Sequence, residues 1–406
     1  MEITPSTTLV TLTGPDRPGV TTRLFAALAA TAAPVLDVEQ VVIRGQLVLG
    51  VLLGTGAGDD VRTLAQPVAD DLGMHLEVSE GDSEADAEVD ARRRDRSHVT
   101  VLGHPLMPEA VAGVAGRIAA LGANIDRIVR LAPYPVTAIE LEVSGADPDV
   151  LRTELAAEAA ERAIDVAVER SGLHRRAKRL VVMDVDSTLI QGEVIELLAA
   201  QAGCLDEVSR LTESAMRGEL DFDASLRARV ALLAGLPESA VDLVRAQVEL
   251  APGARTLVRT LKRLGYQFAI VSGGFTQITD ALADDLGIDY SAANTLEIVD
   301  GVLTGGLVGP VVDRKGKADA LERFAQLAGV PVTQTVAIGD GANDLDMLAR
   351  AGLGVAFNAK PVVREAADAS VSVPFLDAIL YLLGITREEV EAADAEAGLE
   401  TPAPPV

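Results

Sequence analysis

Apolar residues fall along this chain in two rhythms, every second position and every third to fourth. The places where one gives way to the other mark its elements. Up to residue 78 or so they read strand, helix, strand, strand, helix, strand. Residues 8–12 form a first strand, 38–43 and 47–53 a hairpin about Arg44-Gly45, 59–72 a helix, and 76–79 the closing strand. Residues 80–96 break the rhythm. An acidic stretch short of large apolar groups leads to Arg92-Arg93-Arg94, the composition of an exposed linker. From His98 the order restarts, with strands at 99–102, 125–131, 136–143 and 164–168 and helices ending at Leu121 and starting at Asp147. Gly14 and Gly103 stand 89 residues apart, as do Asp37 and Asp126, so one βαββαβ unit occurs twice, over 1–79 and 97–172.

From residue 173 to 385 short apolar runs alternate with helical stretches, which predicts a parallel sheet covered on both faces. Three of these runs end in chemistry. Val181-Val182-Met183 stops at Asp184-Val185-Asp186-Ser187-Thr188, Phe268-Ala269-Ile270-Val271 at Ser272-Gly273-Gly274, and Thr335-Val336-Ala337-Ile338 at Gly339-Asp340-Gly341-Ala342-Asn343-Asp344. Between the first two, residues 192–250 carry helical spacing alone and read as a cap over the strand ends. A small hairpin is expected over 300–307. The tail, 386–406, reads as a short acidic helix followed by Pro-rich disorder.

On a strand Asp184 and Asp186 start on the same side, and two acids so close share a proton or hold a cation. Each piece also has a plain reading: a polar loop start for the acid pair, an ordinary turn for Ser272-Gly273-Gly274, an exposed helix position for Lys317. Taken in order, acid pair, hydroxyl, lysine and acid pair resemble the four-part signature of the haloacid dehalogenase-like phosphatases. The resemblance implies a doubly wound parallel sheet with a helical cap insertion, Asp184 as nucleophile, and Asp186 as general acid and base. It implies Mg²⁺ on Asp184, Asp340 and the Asp186 backbone carbonyl, with Asp344 behind them. Lys317, Ser272, Gly273 and Asn343 would face the phosphate. Lys315 competes for the lysine role; the resemblance favours Lys317 because 318–340 align with the family without a gap. Thr188 either hydrogen-bonds within its loop or caps a helix. The chemistry suits the residues, since a doubly charged phosphate among carboxylates requires cations, and Mg²⁺ prefers oxygen ligands.

The segment Ser214-Ala215-Met216-Arg217-Gly218, with Asp221 to Val230 after it, resembles the phosphoserine phosphatase family within that superfamily. In that family's pattern Glu193 holds the substrate ammonium, Arg229 its carboxylate, and Met216 and Phe222 supply apolar walls. A small zwitterion needs one anionic and one cationic partner, and an arginine fork suits a carboxylate. The implied reaction is Mg²⁺-dependent hydrolysis of O-phospho-L-serine through an aspartyl-phosphate, the last step of L-serine biosynthesis. The alternatives are a related phosphatase or phosphotransferase for another small phosphorylated hydroxy acid, or an amino-acid-responsive binding module with an inactive phosphatase unit. The two N-terminal units are ferredoxin-like, and Gly14-Pro15-Asp16-Arg17-Pro18-Gly19-Val20 resembles the loop of ACT domains. This marks Asp16 and Gly19 as candidate contacts for an amino-acid effector. The second copy, Gly103-His104-Pro105-Leu106-Met107-Pro108-Glu109, matches neither. A homodimer built by the repeats is the other expectation.

Composition trims the remaining possibilities. The net charge of −26 argues against nucleic acid or an anionic membrane as partner, and obliges a phosphate substrate to be drawn by local cations. Cys204 is the single cysteine, which excludes an internal disulfide or a thiolate metal cluster. His75, His98, His104 and His174 lack ligand-like spacing. No stretch resembles a leader and no apolar run could span a bilayer, so the expected location is the cytoplasm.

Overall fold

The computed structural model describes residues 6–55, 60–82, 96–216 and 221–402. Most of the expected linker and the last four residues of the tail lie outside them. The chain divides into two compact units, residues 1–94 and 95–406.

In the first unit β1 (Ser6–Pro15), β2 (Val35–Ile43), β3 (Gln46–Thr55) and β4 (His75–Asp82) form an antiparallel sheet in the order β2-β3-β1-β4. The helices Val20–Leu28 and Val61–Leu72 pack on it, and Val10, Leu12, Leu24, Leu49, Val51 and Ala65 make a closed core. Gly19 turns the chain into the first helix at φ 93°, a left-handed conformation that suits glycine. Asp60 caps the second by accepting from the Thr63 N–H at 3.0 Å. The edge strand β2 is exposed along its whole length, apolar Val35, Leu36, Val41 and Ile43 included.

The repeat is built again from β5 (Arg96–Gly103), β6 (Asn124–Ala132), β7 (Thr137–Ser144) and β8 (Asp165–Arg170), with helices Pro108–Ala120 and Pro148–Arg162. Its outer strand does not end the sheet. The strands β9 (Leu180–Met183), β10 (Gln267–Phe275), β11 (Tyr290–Val299), β12 (Val302–Val308), β13 (Thr335–Gly339), β14 (Gly354–Phe357) and β15 (Ala369–Val371) continue it. The result is eleven strands in the order β12-β11-β10-β9-β13-β14-β15-β8-β5-β7-β6. The seam is β15 against β8, where Ala369 faces Ala167. There Asp165 accepts from Ser370 Oγ at 3.1 Å and from the Ser372 N–H at 2.6 Å. Leu102, Leu131, Val136 and Ala138 of the second repeat belong to the same apolar cluster as Val181, Met183 and Ile338 of the central strands.

β9 lies between β10 and β13, parallel to both, and all four of its residues are buried. The expected cap is present as helices Val194–Ala202, Leu205–Met216, Phe222–Ala231 and Glu238–Gln247. It is entered and left by two paired segments, with the Gln191 N–H on the Glu249 carbonyl at 2.8 Å and the Ala251 N–H on that of Leu189 at 2.9 Å. It is also tied to the β11–β12 hairpin, since Gly235 N–H meets the Leu303 carbonyl and Leu303 N–H meets that of Leu236, both at 2.9 Å.

The acidic helix expected near the end spans Arg387–Glu396 and starts with a capping box between Thr386 and Glu389. It is anchored to the helix Ala254–Arg263. The fully buried Asp394 accepts from Arg259 at 2.9 and 2.6 Å and from Arg263 at 2.5 Å. Burial would raise the Asp394 pKa, but the two arginines and Thr401 outweigh it and hold it down to about 2. A carboxylate whose pKa falls on folding stabilises the folded chain above its ordinary pKa, and that contribution is lost as pH drops from about 4 towards 2. Asp394→Asn should therefore cost about 2–3 kcal/mol in a urea melt at neutral pH, and the deficit should shrink at pH 3. A deficit that does not vary with pH would refute this account.

Candidate active site

The three motif-bearing strand ends meet at the carboxyl edge of β9. Asp184 continues that strand, its N–H on the Ile338 carbonyl at 2.9 Å. The chain then turns sharply through 185–189, with Ser187 at φ 57°. Asp184 is buried, and its Oδ1 accepts from the Val185 N–H at 2.7 Å and from Lys317 Nζ at 2.6 Å. Lys317 reaches it from the first turn of the helix Arg314–Ala328, which Asp313 caps through the Gly316 N–H at 2.7 Å. The ammonium is 1% exposed and also meets Asp344 Oδ1 at 2.7 Å. Lys315, on the same helix, is exposed and pairs with Asp319.

Asp344 is held from behind, its Oδ2 accepting from the Gly341 N–H at 3.0 Å. Carboxylate oxygens of Asp184, Asp340 and Asp344 all lie within 4.8 Å of one another. An all-oxygen donor set of this kind fits a hard divalent cation such as Mg²⁺ and does not suit a thiophilic one. The electrostatics point the same way. Burial first, then the charge of Asp344, raise the Asp184 pKa well above the ordinary carboxylate range, despite Lys317. The same two causes bring Asp340 to about 6. On Lys317 burial works downward, and the charges of Asp184 and Asp344 overcome it to leave the pKa raised. The cluster thus has more negative charge than one ammonium balances, which is the situation a bound cation relieves.

Asp186 is gripped on both oxygens, Oδ1 by the Val194 N–H at 2.8 Å and Oδ2 by Ser272 Oγ at 2.9 Å. Ser272 Oγ in turn accepts from the Gly274 N–H at 2.6 Å. A Cβ at Gly274 would lie 2.9 Å from both Asp186 Oδ2 and Ser272 Oγ, so only glycine leaves that pair undisturbed. Phe222, at the start of its cap helix, reaches down to the same loop; a Cβ on Gly273 would stand 3.0 Å from its Cζ. Asn343 lies over Gly341, close enough that a side chain there would oblige its amide to shift.

Glu193, just before the first cap helix, is exposed and accepts from Ser187 Oγ at 3.3 Å. Crowding by protein, then the charges of Asp186 and Asp340, raise its pKa, and Arg229 is near enough for its charge to oppose them. Two arginines on the same cap helix, Arg227 and the candidate Arg229, part company. Arg227 is exposed and pairs with Asp223, whereas Arg229 is buried and, among the described residues, makes long contacts of 3.4 Å to the Ser225 carbonyl and Thr212 Oγ1. Met216 ends the helix Leu205–Met216, and its side chain lies outside the described residues. Asp16 and Gly19 are in the first unit, both exposed on the turn before its first helix.

Two contacts escaped the sequence reading. Thr188 bonds neither within its own loop nor as a cap but donates across the site to Asp340 Oδ1 at 3.3 Å. Asn294, on β11, bonds the Gly273 carbonyl and the Val312 N–H; a single asparagine in a strand of mixed polarity gives no local sign of that.

Comparison with known proteins bears on these arrangements. Residues 181–349 match the model of the haloacid dehalogenase-like hydrolases, and residues 6–79 and 96–169 each match an ACT domain model. The chain is 63% identical over 396 residues to a phosphoserine phosphatase of Streptomyces coelicolor, covering 96% of this chain and 95% of that protein. It is 54% identical over 398 residues to phosphoserine phosphatase SerB2 of Mycobacterium tuberculosis, covering 95% of each. The unliganded crystal structure of a probable phosphoserine phosphatase from Vibrio cholerae is similar at 37% identity and a TM-score of 0.57, over 73% of this chain and 89% of that one. No helix among the described residues is long and apolar enough to cross a membrane.

Proposed function

The chain belongs to the phosphoserine phosphatases of the haloacid dehalogenase-like hydrolases, with two ACT domains, and on that premise we propose that it hydrolyses O-phospho-L-serine to L-serine and phosphate through an aspartyl-phosphate on Asp184. The observation that carries the proposal is the meeting of Asp184, Asp186, Ser272, Lys317, Asp340 and Asp344 at the end of one strand.

An Asp184 oxygen attacks phosphorus, the bond from phosphorus to the serine oxygen breaks, and protonated Asp186 gives that oxygen its proton. Asp186 then takes a proton from water as the water attacks the aspartyl-phosphate, freeing phosphate and restoring Asp184. The grip of Ser272 and the Val194 N–H keeps Asp186 aimed at the leaving oxygen. Lys317 offsets charge on Asp184 as the phosphate arrives. Asp184 and Asp340, with the Asp186 backbone carbonyl, would hold Mg²⁺, which when bound neutralises phosphate charge. Glu193 would take the substrate ammonium and Arg229 its carboxylate, while Phe222 and Met216 would exclude water.

The reading extends to an amino-acid effector at the Asp16 and Gly19 turn, to a homodimer joined through the exposed apolar edge strand β2, and to a cytoplasmic location. Serine titrated into the full chain in a calorimeter would test the effector, and sedimentation the dimer.

The enzymatic test is release of phosphate from O-phospho-L-serine with Mg²⁺ and with EDTA, beside a generic aryl phosphate. Release from phosphoserine that EDTA abolishes is expected. Cleavage of the aryl phosphate alone would leave the core chemistry standing and remove the substrate assignment. Arg229→Lys should raise KM for phosphoserine about 10- to 100-fold, because a point charge replaces a two-pronged fork, and should leave aryl phosphate cleavage nearly unchanged. An equal loss on both substrates would argue against a carboxylate contact.

A further inference from the structure

Regular parallel pairing of β10 with β11 stops at Val271 opposite Ala292 and resumes at Phe275 opposite Asn294. Four steps on one strand thus match two on the other. The surplus lifts Ser272, Gly273 and Gly274 out of the ladder, where their backbone can face a phosphate. It also leaves the Gly273 carbonyl, in a partly buried stretch, without a ladder partner, a state that costs free energy unless another donor is found. Asn294 supplies it. Its side chain is 2% exposed, and its Nδ2 donates to the Gly273 carbonyl at 2.8 Å. The other end of the same amide, Oδ1, accepts from the Val312 N–H at 2.8 Å. A carbonyl can only accept and a backbone N–H can only donate, so these partners fix which end is which.

Val312 immediately precedes Asp313, the cap of the helix that carries Lys317. One rigid carboxamide therefore spans from the loop that would cradle the phosphate to the base of the helix that brings the lysine to Asp184.

We propose that Asn294 is a positioning residue for phosphate transfer, setting the spacing between the 272–274 loop and the helix of Lys317. The inference rests on the phosphatase reading above. Misplacement of reacting groups by an ångström costs about 100-fold in rate. Asn294→Ala and Asn294→Ser should thus lower kcat about 10- to 100-fold. The loss should be in the same proportion on phosphoserine and on an aryl phosphate, because it concerns the phosphate and not the amino-acid end. Inhibition by inorganic phosphate should weaken alongside it.

The experiment measures kcat, KM and the inhibition constant of inorganic phosphate for wild type and both variants, at a temperature where melting curves show each to be folded. Values within about threefold of wild type, accompanied by a lowered melting temperature, would make Asn294 a stability residue and overturn the proposal. So would a failure of both variants to fold at any temperature. A loss confined to phosphoserine would likewise overturn it, by moving the defect to the cap. A wild type inert on phosphoserine would instead sink the substrate reading, and the aryl phosphate and inorganic phosphate measurements would still decide the role of Asn294.

Discussion

Asp184→Asn should reduce phosphate release from phosphoserine by about 1,000-fold or more while leaving the chain folded. The amide is nearly isosteric, and it can still accept from the Val185 N–H, so the local turn should persist. What it loses is the lone pair that attacks phosphorus and the charge that Lys317 faces at 2.6 Å. Because burial and Asp344 already push Asp184 towards its neutral form, the uncharged variant should be no less stable to heat than wild type when the buffer contains EDTA. Phosphate release and thermal melting of the same two preparations test both halves. A mutant that retains a tenth of the activity would rule Asp184 out as nucleophile.

Lys317→Ala should be the more damaging change, because it strikes both folding and chemistry. The ammonium is enclosed between Asp184 and Asp344, and its removal leaves two buried carboxylates facing each other across the space it filled. Breaking a buried ion pair from one side costs about 3–5 kcal/mol, so a large fall in denaturation midpoint should accompany the loss of turnover. Added Mg²⁺ should restore part of the stability, since a cation at the same carboxylates takes over part of the charge balance. Lys315→Ala should change neither by much, because an exposed pair with Asp319 contributes little. Equal, mild effects from the two alanine variants would remove Lys317 from the site.

Much of this is legible in the sequence alone. Fully apolar runs such as Val181-Val182-Met183 can only be central strands, and they carry their chemistry at the end where the chain leaves the sheet. Helical spacing without strand signal likewise exposed the cap. Strand lengths were less readable: β1 was expected over residues 8–12 and spans Ser6–Pro15, because backbone pairing continues through Ser6, Thr7 and Thr13, which carry no apolar signal. The grip of Asn294 on Gly273 could not be read at all. It depends on a slip between two strands, and no periodicity reports how many residues one strand spends while its neighbour spends two. The anchoring of Asp394 was hidden for a related reason, since its arginine partners lie more than 130 positions earlier in the chain.

The seam between β8 and β15 bears on how this protein comes apart. Because the second repeat shares its sheet with the phosphatase strands and adds Leu102, Leu131, Val136 and Ala138 to their apolar cluster, beside a core of its own around Val101, Ile118 and Leu155, the two should melt as one cooperative block, and the first repeat should melt separately. Calorimetric scans should accordingly resolve two transitions, and a chain begun near residue 95 should keep the larger of them intact. One begun near 173 would bare the edge of β15 and strip Leu102, Leu131 and Val136 from the interior, leaving a catalytic fragment prone to aggregate. The two repeats look alike in topology, yet only the first is placed as an exchangeable module; the second has become a structural wall of the enzyme.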